Sequence, residues 1–237
     1  MTKLTLYTSR TCPFANRAVV ALAETQQEYE AVDIDLRTPR PDWYLKDINP
    51  YGQVPALKVD DKDVIIESLF VAEYISDLHP EAGLFPTDPL QRAQTRYLVH
   101  HWGSHVSPLV HKSMITLDPV ESAKFRESLV VELEKIDKLL RNASRAEGET
   151  GAYFLGDKFT FADLAVGPFL YRFFLATSFQ EKSVAEEFEA SLYANKNLKR
   201  FLEWRDHVRQ RPSIRNASLP QETLEGLYRK YVIKTEN

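Results

Sequence analysis

The hydrophobic pattern changes its period partway along the chain, and this change limits the folds that the sequence can form. Up to about residue 78, short alternating runs typical of strands are mixed with helical runs. Beyond about residue 88, apolar residues recur every three or four positions, as on the buried face of a helix. Between them, residues 79–89 contain three prolines and a glycine, a composition typical of a linker. We therefore predict a first domain over residues 1–79, a linker over 80–88 and a second domain over 89–237.

The first domain has the order strand, helix, strand, then strand, strand, helix. The turn signal at residues 49–52 separates the two halves, and a polar run at residues 60–63 suits the turn of a hairpin. This order predicts an α/β domain of the thioredoxin-like type. The predicted strands are residues 3–7, 29–34, 56–59 and 64–66, and the predicted helices are residues 13–24 and 68–78.

The second domain is predicted to be all-α. One buried helix face is indicated by Phe125, Leu129, Leu133, Ile136 and Leu140. A second helix should begin near residue 160, because Thr160 and Asp163 have the spacing of a capping box. A further apolar stripe around residues 198–204 ends before Pro212.

Composition and charge exclude several classes of protein. The 237 residues carry a net charge of -4, which favours neither nucleic acid nor an acidic membrane surface as partner. No apolar stretch approaches the roughly 20 residues that span a bilayer. A single cysteine permits no internal disulfide, and a strand begins almost at the first residue, so we expect a cytoplasmic protein.

That single cysteine, Cys12, stands where the first strand gives way to the first helix. Pro13 suits the first helical position, so Cys12 should cap the helix, where unpaired N–H groups and the helix dipole favour a thiolate. Lone cysteines are more often apolar filler, but this context makes Cys12 a candidate nucleophile. Arg10 and Arg17 add positive charge nearby, and Ala15 replaces the second cysteine of a Cys-x-x-Cys pair.

Five motifs together resemble those of the soluble glutathione transferases, and most closely the cysteine-bearing omega-like group. They are Cys12-Pro13-Phe14-Ala15-Asn16-Arg17, Arg40-Pro41-Asp42-Trp43, residues 49–57, Glu67-Ser68 and the box from Thr160 to Asp163. The resemblance covers nearly the whole chain. It implies a thioredoxin-like N-terminal domain followed by an all-α C-terminal domain, with glutathione as co-substrate and a homodimeric assembly.

The resemblance also assigns glutathione-binding residues. It implies a cis peptide between Val54 and Pro55, with the main chain of Val54 pairing with the cysteinyl part of glutathione. Ser68 would take the γ-glutamyl carboxylate and Glu67 the ammonium, although both also suit a plain helix cap. The remaining members are Arg40, for the glycyl carboxylate, Phe14, and Gln53, which either contacts the peptide or shapes the turn.

A second, more apolar pocket between the domains is implied for the electrophilic substrate, with Arg172, Trp204 and Tyr228 as candidate residues. Aromatic residues at helical spacing are more often core residues, so a core role for Trp204 and Tyr228 stays open. Four histidines between residues 100 and 111 do not suggest a metal site, because no carboxylate-rich motif accompanies them.

Three functions remain open at this level. Cys12 could form a mixed disulfide with glutathione, which is thioltransferase, deglutathionylase and dehydroascorbate-reductase chemistry. Alternatively, a hydroxyl of Tyr7, Thr8 or Ser9 could activate glutathione itself for conjugation to electrophiles. A non-catalytic ligand carrier on the same fold is the third possibility.

Overall fold

The computed structural model describes residues 2–116, 118–143, 151–173 and 182–234, and of residues 182 and 228–234 it describes the backbone alone. Contacts divide the chain into two units. Unit 1 comprises Met1–Phe85 and Arg211–Leu219, and unit 2 comprises Pro86–Gln210 and Pro220–Asn237. The sequence analysis placed residues 211–219 in the second domain, whereas their contacts place them in unit 1.

A four-stranded mixed sheet forms the centre of unit 1. Its order is β2-β1-β3-β4, with β1 parallel to β2 and antiparallel to β3, and with β3 and β4 forming an antiparallel hairpin. All five residues of β1 are buried, as expected for a strand with neighbours on both sides. The strands are β1 (Leu4–Thr8), β2 (Glu30–Asp33), β3 (Ala56–Val59) and β4 (Asp63–Ile66).

Three helices accompany the sheet in Met1–Phe85: α1 (Pro13–Thr25), α2 (Asp42–Asp47) and α3 (Ser68–Leu78). The predicted thioredoxin-like order is confirmed, with α1 and α3 where the sequence placed them. The short helix α2 was not predicted, because six residues are too few to show a helical period. Within the predicted linker, Pro80–Ala82 forms one 3₁₀ turn.

Unit 2 is helical, as predicted. Both α4 and α6 begin at a proline that follows an aspartate, and the aspartate side chain accepts a hydrogen bond from the first turn in each case. Of the helices given next in chain order, α10 belongs to unit 1. The helices are α4 (Pro89–His101), a π-helical turn (Trp102–Val106), α5 (Ser107–Ile115), α6 (Pro119–Asn142), α7 (Phe161–Tyr171), α8 (Lys182–Ala194), a 3₁₀ turn (Lys196–Leu198), α9 (Lys199–Gln210), α10 (Pro212–Ala217) and α11 (Gln221–Lys234).

The predicted buried face of α6 is confirmed for four of its five residues. Leu129, Leu133, Ile136 and Leu140 are buried, whereas Phe125 is half-buried, with the Lys112 ammonium 5.5 Å from its ring centre. No helix in the described part of the chain is long and apolar enough to cross a membrane.

The segment Arg211–Leu219 joins unit 1 through polar contacts with α1. Glu24, near the end of α1, accepts two hydrogen bonds from the Arg211 guanidinium, at 2.7 and 2.6 Å, and a third from the Ser213 hydroxyl. At the other end of α1, the Asn16 amide donates to the Ser218 hydroxyl at 2.9 Å. The paired Arg–carboxylate geometry is both strong and directional, which explains why this distant segment takes a fixed place beside α1.

The capping box at the start of α7 is confirmed and is larger than the sequence indicated. Thr160 donates through its N–H and its hydroxyl to one oxygen of Asp163, each at 2.8 Å. The other carboxylate oxygen accepts from the Phe154 N–H at 2.9 Å and from the Trp204 indole at 2.6 Å. Burial raises the pKa of Asp163, while these four donors act in the opposite direction. One buried carboxyl group thus links a loop, α7 and α9.

Replacing Asp163 by alanine should strongly destabilise the chain, because it leaves several buried donors without an acceptor. The expected loss is about 3 kcal/mol or more, since each buried unpaired donor costs on the order of 1 to 3 kcal/mol. The urea midpoint, followed by tryptophan fluorescence, measures this loss. Asp157→Ala, at an exposed position nearby, is the matched control, and equal midpoints for the two variants would contradict the assignment.

Candidate functional site

Cys12 lies at the N-terminal end of α1, as the sequence predicted. It is the residue that precedes the first helical turn, and its backbone is extended there, with φ -92° and ψ 117°. Its side chain makes no capping hydrogen bond and is partly exposed. The sulfur therefore lies at the positive end of the α1 dipole with access to solvent, which is the setting that favours a reactive thiolate.

The Val54-Pro55 peptide bond is cis, as the resemblance implied. The carbonyl oxygen of Val54 lies 4.0 Å from the Cys12 sulfur, so the loop before β3 and the start of α1 meet at this point. Val54 and Pro55 are buried, whereas the neighbouring Gln53 side chain is exposed. The structure thus brings Val54 beside the thiol, with Gln53 and Pro55 as its neighbours in the chain.

Helix α2 holds the loop that leads to the cis bond. The Tyr44 hydroxyl donates to the Gln53 carbonyl at 2.7 Å, and the Asn49 amide donates to the same oxygen at 2.9 Å. Burial raises the pKa of Tyr44 to about 12, so the hydroxyl stays protonated and remains a donor at neutral pH. The sequence analysis missed this role. Asp42 directly after Pro41 is a pattern typical of a helix start, and α2 could have been predicted from it.

Arg40 lies directly before α2, and its guanidinium binds backbone carbonyls on both sides of that helix. It donates to the Gly52 carbonyl at 3.0 Å and to the carbonyls of Asp35, Thr38 and Leu36 at 2.7, 2.6 and 3.3 Å. Four of its five N–H groups are therefore engaged, and one on Nη2 remains. The geometry adds a positioning role to the carboxylate-binding role that the resemblance implied.

Gly52 is required for that arrangement. Its φ is +65°, and a Cβ atom there would lie 3.1 Å from Cγ of Arg40 and 3.2 Å from Cδ2 of Leu45. A larger residue would therefore meet both an unfavourable backbone conformation and a tight contact. The turn before Gln53 depends on this glycine.

Glu67 and Ser68 stand where β4 gives way to α3. Glu67 has φ +71° and ψ 118°, a conformation that is rare for a non-glycine residue and is concentrated at functional sites. Its side chain is exposed, and Ser68, the first residue of α3, is buried with its hydroxyl accepting a hydrogen bond from Nη1 of Arg17 at 3.0 Å. The start of α3 can receive an anion through its first N–H groups.

Arg17 is a member of the site that the sequence analysis noted only as nearby charge. Its side chain is 4% exposed, and its guanidinium lies 5.4 Å from the ring centre of Phe14. Phe14, a predicted site residue, is 46% exposed at the rim of the site. Arg17 thus joins the helix that carries Cys12 to the helix that carries Ser68.

The hydroxyls near the first strand are less accessible than the thiol. Tyr7, Thr8 and Ser9 are all buried. The Ser9 hydroxyl lies 3.1 Å from that of Thr11, and burial raises the pKa of Tyr7. The structure therefore exposes the sulfur and covers the alternative groups.

Three candidate residues for the second substrate belong to unit 2. Arg172 is buried directly after α7. Trp204 has no exposed surface, and its indole donates to Asp163, so the structure gives it the core role that the sequence analysis left open. The side chain of Tyr228 lies outside the described residues.

The histidines of α4 and the following turns form no metal centre in the described part of unit 2. His101 Nε2 lies 3.0 Å from a Glu132 oxygen, and the His101 and His105 rings are 4.8 Å apart. Burial lowers the pKa of His101. Among all described residues, no group of three or more histidine, cysteine or acidic side chains is arranged to hold a metal ion.

Two family models match the chain. Residues 6–83 match the N-terminal domain of glutathione S-transferase, and residues 122–207 match its C-terminal domain. Together they span most of the chain, and both predicted domains are represented.

Individual proteins similar to this chain include members of the same family. A probable glutathione transferase omega-2 of Caenorhabditis briggsae is 29% identical over 234 residues, covering 98% of this chain and 87% of that protein. A probable maleylacetoacetate isomerase of Caenorhabditis elegans is 35% identical over 160 residues, covering 65% of this chain and 72% of that protein. The crystal structure of glutathione transferase Omega 1C from Trametes versicolor superposes with a TM-score of 0.83 at 27% identity and covers 98% of both chains.

These matches agree with the four-stranded sheet of unit 1 and the helices of unit 2. The chain belongs to the glutathione S-transferase family, and its relatives place it with the omega-like members.

Proposed function

We propose that this protein is a glutathione-dependent thioltransferase and reductase whose nucleophile is Cys12. The observation that carries the proposal is the position of the sulfur: partly exposed, at the N-terminal end of α1 and 4.0 Å from the Val54 carbonyl. A thiolate at this position can attack a disulfide sulfur, whereas a hydroxyl cannot form a mixed disulfide.

Glutathione would be held by groups at the start of α1, in the loop before β3 and at the start of α3. The main chain of Val54 would pair with its cysteinyl part, as an added strand pairs with a sheet edge. Ser68 and the first turn of α3 would receive the γ-glutamyl carboxylate, and the exposed Glu67 its ammonium group. Phe14, Gln53 and Pro55 would complete the surroundings, and the remaining N–H of Arg40 would face the glycyl carboxylate.

The reaction takes two exchange steps. The Cys12 thiolate attacks the glutathione sulfur of a glutathionylated substrate, so the Cys12–glutathione disulfide forms while the substrate thiolate leaves and takes up a proton. A second glutathione, as thiolate, then attacks that mixed disulfide and releases oxidised glutathione, which restores the Cys12 thiolate. The external thiol is needed because Ala15 replaces the resolving cysteine. Reduction of dehydroascorbate would instead consume two reduced glutathione molecules, which supply the two electrons and two protons that form ascorbate and leave as one oxidised glutathione.

Replacement of the sulfur should separate this mechanism from the others. Wild-type protein incubated with oxidised glutathione should gain one glutathionyl group by intact mass, and Cys12→Ser should gain none. Thioltransferase activity should fall at least about a thousandfold in Cys12→Ser, because the serine hydroxyl stays protonated and forms no disulfide. Since Cys12 is the chain's only cysteine, any adduct reports that residue alone.

A control variant addresses conjugation, the second candidate function. Tyr7→Phe removes one of the candidate hydroxyls and keeps the thiol, so it should retain the mixed disulfide and the thioltransferase activity. A Cys12→Ser variant with full thioltransferase activity would rule out the proposed mechanism. Conjugation that far exceeds thiol transfer in the wild type and falls in Tyr7→Phe would favour the alternative.

Arg40 variants test whether this residue acts mainly by holding the turn. Arg40→Met should raise the KM for glutathione about tenfold or more, since one lost charge-assisted hydrogen bond is worth about 1.5 kcal/mol. Arg40→Lys should show a similar loss, because an ammonium cannot reproduce the planar fork that contacts four carbonyls.

The matched control for that series is Arg37→Met, which removes an exposed arginine paired only locally with Asp35 and should leave the KM unchanged. If Arg40→Lys kept the wild-type KM, the positive charge alone would be what glutathione requires.

Arg172 and Tyr228 remain proposed contacts of the second substrate.

We also propose a homodimer in the cytoplasm, as the family resemblance implies. Light scattering of the purified protein should give twice the 27.3 kDa chain mass over micromolar concentrations. A mass equal to one chain at all of these concentrations would contradict the dimer.

A further inference from the structure

The guanidinium of Arg17 lies between two parts of the proposed glutathione site. Arg17 belongs to α1, five residues after Cys12, and its side chain reaches the first residue of α3. Only 4% of its surface is exposed. Burial of a cation is unfavourable unless polar groups surround it, so a buried arginine at this position calls for a reason beyond packing.

The hydrogen bond between Arg17 and Ser68 has a fixed direction. Arginine has donors and no acceptor, so the Ser68 oxygen must accept from Nη1. The one hydroxyl proton of Ser68 is then available to another acceptor, and among the described residues no acceptor lies within hydrogen-bond distance of it. Ser68 is itself buried, at 8% exposure, at the start of an eleven-residue helix. Arg17 therefore makes Ser68 a donor toward whatever occupies the start of α3.

Arg17 and Cys12 lie five residues apart at the N-terminal end of α1, where their charges act on each other. Burial lowers the pKa of Arg17 to about 10, and the negative charge of the Cys12 thiolate acts to raise it. Arg17 therefore remains charged at neutral pH. The other titratable groups in the cluster against which Cys12 packs are Tyr7 of β1 and Tyr44 of α2. Burial raises the pKa of both, so they are neutral at pH 7.

We propose that Arg17 is a positioning residue, which directs the Ser68 hydroxyl toward a ligand carboxylate and supplies the positive charge that favours the Cys12 thiolate. This inference rests on the proposed function and extends it, because it makes ligand binding and sulfur activation depend on one buried side chain. The γ-glutamyl end of glutathione carries a carboxylate that could accept this hydrogen bond.

A double-mutant cycle tests the part that acts through Ser68. Binding of reduced glutathione, kept reduced with a phosphine, is measured by calorimetry for wild type, Arg17→Met, Ser68→Ala and the double variant. Each single variant should bind about tenfold more weakly, and the double variant should bind no more weakly than the weaker single variant. Losses that multiply in the double variant would show that Arg17 and Ser68 act independently, which would overturn this part.

Alkylation of Cys12 by iodoacetamide tests the part that acts on the sulfur. The rate is measured between pH 5 and 10, and its midpoint reports the Cys12 pKa because the chain has no other cysteine. In Arg17→Met the midpoint should rise by about one unit, since an adjacent cation favours the thiolate. Arg17→Lys keeps the positive charge and should therefore keep a midpoint close to that of the wild type. If Arg17 acted only through packing, lysine would have no reason to preserve the midpoint.

Folding of each variant is checked by circular dichroism, and if Arg17→Met does not fold, Arg17→Gln replaces it in both experiments. A folded neutral variant with wild-type glutathione affinity and a wild-type midpoint would overturn the inference. So would an Arg17→Lys midpoint shifted as far as that of the neutral variant. If wild type binds no glutathione and forms no mixed disulfide, the proposed function fails instead, and the alkylation midpoints still decide whether Arg17 acts on Cys12.

Discussion

Helix α1 is held on two sides, and this double anchoring determines where the sulfur of Cys12 lies. On one side, the buried guanidinium of Arg17 bonds to Ser68 at the start of α3. On the other, Glu24 and Asn16 bond to the segment Arg211–Leu219. A helix fixed at both ends cannot rotate about its axis without breaking polar contacts, of which the two made by Asn16 and Arg17 are buried and would each cost about 1 to 3 kcal/mol. The residue that begins the helix therefore has a defined position relative to the loop before β3.

That defined position would favour the chemistry proposed for the thiol. The cis Val54-Pro55 bond follows a turn whose carbonyls are held by Tyr44, Asn49 and Arg40. These contacts keep the Val54 oxygen beside the sulfur before any ligand arrives, so little ordering is needed on binding. In the proposed mechanism, the field that favours the thiolate would come from fixed dipoles at the end of α1 and from the buried Arg17 cation, neither of which would have to reorganise during the reaction.

Local sequence signals predicted the features that are themselves local. Pro13 after Cys12 marked the start of α1, and Thr160 with Asp163 marked the start of α7, because the physics of a helix end involves only four residues. The alternation of β1 and the hairpin β3–β4 were predicted for the same reason. The cis bond came from the family resemblance rather than from physics, since the base rate for a cis proline is only about 5 to 6%.

Contacts between residues far apart in the chain were not predicted. Many of the hydrogen bonds that hold the site residues in place are of this kind. Trp204 looked like a possible pocket wall, but its indole reaches Asp163, 41 positions away in the chain. From the resemblance, Arg40 was assigned to the glycyl carboxylate alone, yet four backbone carbonyls accept hydrogen bonds from it. Arg17 was noted only as positive charge near Cys12, whereas the structure buries it on α1. Its partner Ser68 lies 51 positions away, and a single sequence carries no sign of that pairing. A charged residue on a predicted buried face therefore marks a position at which a distant polar partner should be sought.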